Sequence, residues 1–135
     1  MNTKTYHGSC HCGAMRFEAD IDFAEGTGKC NCSYCAKTRL WGKHVKPEAF
    51  RLLTDEDVLG AYQFNTHSVA HRFCTRCGIH AFTRGDIPEA GGKFVTINVA
   101  CLDDADVPEM LQGPVRYFDG LHDNWMNPPA ETRHL

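Results

Sequence analysis

Gly8-Ser9-Cys10-His11-Cys12-Gly13 and Phe73-Cys74-Thr75-Arg76-Cys77-Gly78 decide how this chain folds. The first is a C-x-C pair and the second a C-x-x-C pair. Each closes on a glycine, which permits the positive φ of a tight turn around a metal ion. Backbone amides in such turns face the sulfurs and help to hold thiolates. Between Cys12 and Cys74 lie 61 residues. Four thiolates in one closed tetrahedron would therefore clip an N-terminal hairpin to the middle of the chain as a structural zinc site. A metal that closes so long a loop adds substantially to the stability of a small fold. Free buried thiols and a redox dithiol are the alternatives, but a redox C-x-x-C belongs in a βαβ pattern, which this sequence lacks.

The composition gives such a clip work to do. A length of 135 residues suits one domain spanning 1–135. Leu, Ile, Val and Phe together supply only 27 residues, a thin core, while a net charge of −3 is too small to favour disorder. Eight cysteines are too few for a disulfide scaffold. No apolar run approaches the ~18 residues of a membrane span, so no membrane partner is expected. Residues 1–8 lack the apolar stretch of a secretory signal, which points to the cytoplasm, where thiols stay reduced. With Lys+Arg 14 against Asp+Glu 17 and a pI near 6.2, no nucleic-acid partner is expected either.

Strand signals dominate. Residues 14–21 alternate apolar and polar from Met15, and 93–102 read as the clearest strand. Residues 62–65 and 69–73 predict a hairpin, 79–85 another strand, and 44–53 two short pieces interrupted at Lys46-Pro47. Helical signals are confined to one turn over 31–38 and another over 55–59, and from Pro108 the chain reads as irregular wrapping. The expected class is mainly β and antiparallel, with metal-pinned loops.

Cys30-Asn31-Cys32-Ser33-Tyr34-Cys35 adds a C-x-C-x-x-C cluster. Three sulfurs suit a zinc with an open fourth position, the arrangement of a catalytic ion. A distant residue could instead close the site, and Cys101 and eight histidines are the candidates. Spacing leaves both readings standing.

These motifs, with Asn98-Val99-Ala100-Cys101-Leu102-Asp103 and Phe118-Asp119-Gly120, resemble the glutathione-dependent formaldehyde-activating enzyme family, which includes centromere protein V. The resemblance implies an Mss4-like antiparallel β fold with two zinc ions per chain. It assigns Cys10, Cys12, Cys74 and Cys77 to a structural zinc and Cys30, Cys32 and Cys35 to a catalytic one; no ligand role carries over to Cys101. The implied activity is condensation of glutathione, or a similar small thiol, with formaldehyde or another aldehyde, formally a carbon–sulfur lyase reaction run in reverse. The alternative is a non-catalytic two-zinc module that binds proteins or other macromolecules.

Around the three-cysteine loop stand Tyr34, Trp41 and Lys37-Thr38-Arg39. The two cations either bind carboxylates of an anionic thiol or form a solvated face. His11, between two supposed ligands, is expected to turn its ring away from the metal. His122 is either a proton shuttle or part of a packed tail anchored by Trp125.

Overall fold

The strand over Arg16–Ile21 buries Phe17, Ala19 and Ile21 on one face, as its alternation predicts. A computed structural model describes residues 3–135 and gives ten strands among them. In chain order these are β1 Lys4–Ser9, β2 Arg16–Ile21, β3 Thr27–Cys30, β4 Gly42–Val45, β5 Phe50–Leu52, β6 Leu59–Tyr62, β7 Val69–Cys74, β8 His80–Ile87, β9 Gly92–Asn98 and β10 Val115–Phe118. Two short helices, α1 Ser33–Thr38 and α2 Val107–Met110, interrupt them.

The strands form a three-stranded sheet ordered β1-β2-β5 and a seven-stranded sheet ordered β10-β3-β4-β9-β8-β7-β6. Their buried faces share one core. Phe50 of the small sheet stacks on Phe17 at 5.4 Å between ring centroids and meets Phe82 of the large sheet at 4.6 Å. Met15, Phe23, Val95 and Ile97 fill the space around them with almost no exposure. Aromatic side chains thus supply much of the buried area that the few aliphatic ones cannot.

The expected hairpin exists as β6 and β7, with Tyr62 opposite His71. Its first strand begins earlier than the sequence indicated, because the residues read as a helical turn form only a 3-10 turn at Glu56–Val58. The strand expected to run to Leu102 ends at Asn98. There the Asn98 side chain accepts from the Ala100 amide at 3.2 Å and donates to the His80 carbonyl at 2.9 Å, drawing the chain into a 3-10 turn. β1 completes the expected N-terminal hairpin with β2, and two further strands, β3 and β10, were not signalled. The last two pair in parallel, with Phe118 opposite Cys30, which departs from an all-antiparallel sheet and makes an edge strand of a region read as irregular.

Candidate metal centres

Both cysteine pairs of the first group lie in hairpin turns. Cys10-His11-Cys12-Gly13 connects β1 to β2, and Cys74-Thr75-Arg76-Cys77-Gly78 connects β7 to β8. The two turns are built alike. Gly13 has φ +81° and donates to the Cys10 carbonyl at 3.2 Å; Gly78 has φ +80° and donates to the Cys74 carbonyl at 2.7 Å. The Met15 amide faces the Cys10 sulfur at 3.3 Å, and the Arg76 amide faces that of Cys74 at 3.4 Å. All four sulfurs lie within 4.8 Å of one another. Cys12 Sγ stands 3.7 Å from that of Cys10 and 3.6 Å from that of Cys74. A tetrahedral ion with metal–sulfur bonds of ~2.3 Å separates its sulfurs by about 3.8 Å, so a zinc-sized ion fits. An ion held there would join the edge of one sheet to the turn of the other.

The second group is assembled from different material. Cys30 ends β3, Cys32 caps the N-terminus of α1, and Cys35 lies inside that helix. The Cys32 amide faces Cys30 Sγ at 3.3 Å, and the Cys35 amide faces Cys32 Sγ at 3.4 Å. The three sulfurs lie within 4.8 Å of one another, and among the described residues no fourth His, Cys, Asp or Glu joins them. As free thiols they share protons unequally. Hydrogen bonds from Cys30 and Cys35 hold Cys32 well below the usual thiol range, while contact with Cys30 and Cys32, together with burial, pushes Cys35 far above it. A dication would replace that sharing by displacing the protons.

The segment from Asp119 to Trp125 packs over this group. Asn31, buried between Cys30 and Cys32, donates to Asp119 at 2.9 Å and accepts from the Leu121 amide at 2.9 Å. Gly120 presses so close that a Cβ there would stand 2.6 Å from Cys30 Sγ and 2.6 Å from the Trp125 ring. Gly120→Ala is therefore expected to weaken metal binding at the three-cysteine group alone. Titration with Co²⁺, followed by sulfur-to-metal charge transfer, should show one tight site retained and the other weakened about tenfold or more.

On its other flank, α1 borders a cavity of about 500 Å³ lined by Tyr34, Thr38, Tyr62, Phe73, Ile79 and His80 among others. The Tyr34 ring stacks on buried His71 at 3.8 Å and meets the edge of His80 at 5.6 Å. The Thr83 hydroxyl lies 3.1 Å from His71 Nδ1 and 2.9 Å from His80 Nε2. His80 Nε2 also faces the Phe82 carbonyl at 3.0 Å, which only accepts, so Nε2 carries the proton. Burial, helped by the neighbouring His71, lowers the His80 pKa to about 4. An unfolded histidine titrates near 6.5, so the unfolded chain takes up the proton first as pH falls. His80 therefore favours the folded state above that value, and the advantage is lost between about pH 6.5 and 4. Between pH 7.5 and 5.5 the wild type should lose roughly 1 kcal/mol relative to His80→Gln, measured by urea unfolding at each pH.

Other expectations are placed as follows. Cys101 joins neither group; it is buried, its sulfur lies 3.9 Å from the His80 carbonyl, and burial raises its pKa to about 11. His11 is exposed. Trp41 packs against the core and donates to Thr27 at 2.7 Å. Lys37 and Arg39 are exposed beyond the cysteines of α1 and make no ion pair among the described residues. Trp125 is half exposed, so it lies against Gly120 rather than anchoring a buried tail. The contact between Asn31 and Asp119 had no sequence signal, since 88 residues separate the partners.

Four thiols at one point and three at another, on two β-sheets, define a small β protein with two groups able to hold metal ions. The chain belongs to the glutathione-dependent formaldehyde-activating enzyme family, which matches residues 5–118, and its fold is Mss4-like. A crystal structure of a Rhodobacter sphaeroides protein, a structural-genomics target, is similar at 27% identity and a TM-score of 0.68, over 81% of this chain and 98% of that one. No helix among the described residues is long and apolar enough to cross a membrane.

Proposed function

We propose that this chain, acting as one domain, adds a small thiol to formaldehyde or another aldehyde, or cleaves the adduct, at Cys30, Cys32 and Cys35. Cys10, Cys12, Cys74 and Cys77 are the ligands of a structural zinc. The observation that carries the reading is the difference in donor number, four against three. Four thiolates complete a tetrahedron, whereas three leave one position for substrate. Membership of the formaldehyde-activating family supplies the substrate class, glutathione or a similar thiol with an aldehyde. Zinc held by Cys30, Cys32 and Cys35 would supply a Lewis acid for the thiol or the aldehyde oxygen.

The chain's own residues do the rest. The amides of Cys32 and Cys35 direct partial positive charge at neighbouring sulfurs and fix their lone pairs. Lys37 in the same short helix and Arg39 at its C-cap are exposed, and in this reading they meet the carboxylates of an anionic thiol. Bringing both reactants to one site converts a bimolecular addition into a positioned one. Eight unpaired cysteines accord with a reducing compartment, and we place the protein in the cytoplasm.

The test is elemental analysis together with exchange NMR on glutathione and formaldehyde. Two zinc ions per chain and exchange faster than the uncatalysed rate are expected. Two zinc ions with no acceleration at high protein concentration would overturn the enzymatic reading and leave a two-zinc binding module.

A further inference from the structure

We propose that His122 is the proton shuttle of this addition, held in place by Asp119 and, through it, by Asn31. The inference rests on the thiol–aldehyde reading and assigns it a residue that cysteine chemistry alone does not provide.

Asn31 stands between two of the three clustered thiols and is 7% exposed. Its amide grips the 119–121 loop at both ends, Nδ2 on Asp119 and Oδ1 on the Leu121 amide. The loop is thereby fixed on the turn that carries Cys30 and Cys32, with Gly120 directly against Cys30 Sγ. Asp119 is 8% exposed, and a buried carboxylate requires donors. Besides Asn31 it has His122 Nδ1, which lies 2.9 Å from each carboxylate oxygen. An ionised carboxylate only accepts, so Nδ1 carries the proton and Nε2 is left as a base. The His122 side chain is 71% exposed, so solutes reach that nitrogen. So exposed a ring adds little packing, and Asp119 already has a donor in Asn31. The arrangement provides a base held by Asp119 and open to solutes, two residues along the loop from the Gly120 that abuts Cys30 Sγ.

The step balances without any oxidant or reductant. Nε2 takes the S–H proton of the incoming thiol. The sulfur lone pair forms the C–S bond as the C=O π pair moves onto oxygen. Nε2 then returns its proton to that oxygen, leaving a hemithioacetal and a neutral His122. Cleavage is the same path reversed.

The experiment compares zinc-loaded wild type, His122→Gln and His122→Ala at matched metal content. General acid–base catalysis contributes about 10²–10⁴-fold, so His122→Gln is expected to lower kcat about a hundredfold with KM little changed. Added imidazole should restore much of the His122→Ala rate, which a packing role would not allow. Two-bond ¹H–¹⁵N spectra, which need no turnover, should show His122 as the Nδ1–H tautomer, and Asp119→Asn should abolish that preference. An unimpaired His122→Gln, a His122→Ala loss that imidazole does not rescue, or an Nε2–H tautomer overturns the shuttle while leaving thiol addition standing. A wild type that accelerates no addition with any thiol and aldehyde overturns both.

Discussion

Cys74→Ser is expected to leave the chain unfolded at 25 °C. Cys74 has no exposure, and its sulfur lies 3.6 Å from that of Cys12 across the two sheets. The small sheet is held to the large one by a thin aliphatic core, the Phe17–Phe50–Phe82 contacts and, on the proposed assignment, one ion. Structural zinc sites bind with apparent free energies of about 10–16 kcal/mol at neutral pH. A small domain is stable by only about 5–15 kcal/mol in total. Losing most of the first quantity exceeds or exhausts the second. A buried serine hydroxyl adds a polar group without a strong acceptor role for zinc. Circular dichroism and zinc analysis of the purified variant check the result, and chelation of the wild type should reproduce it. A native-like melt for Cys74→Ser would sink the clip.

Cys32→Ser is expected to have the opposite profile: one zinc ion lost, the fold kept, and thiol addition reduced at least a hundredfold. Cys32 sits where β3 meets α1, only partly buried, with no side chain of the central core against it. Phe17, Phe23, Phe82 and Ile97 pack without reference to it. Its loss leaves two thiolates, too few to hold zinc tightly against competing water. Metal content should fall from two to one per chain, with a melting curve close to wild type. Unfolding of Cys32→Ser would reverse the proposed roles of the two groups.

The contrast between these variants follows from features of unequal legibility. The knuckles were readable because they are local. A cysteine pair and its glycine fix turn geometry within six residues, and Gly13 and Gly78 take the positive φ that the pattern requires. The alternation over Arg16–Ile21 and the hairpin around Asn65 were readable for the same reason. The strand Thr27–Cys30 was not, since Thr-Gly-Lys-Cys carries no alternation and is a strand only because Val115–Phe118 and Gly42 pair with it. Asn98 likewise ends its strand through a hydrogen bond to His80, a residue 18 positions away.

The sequence by itself determined the C-x-C, C-x-C-x-x-C and C-x-x-C motifs and the turns that present the first and last of them, because each depends on spacing over a few residues. Only the tertiary structure decided that the four-thiol group joins the hairpin turns of two different sheets, that Cys101 stands apart from both groups, and that Asn31, Asp119 and His122 meet beside the other three. Those outcomes depend on pairings across 60 to 90 residues, where the energy lies in burial and in hydrogen bonds between partners that no local pattern connects.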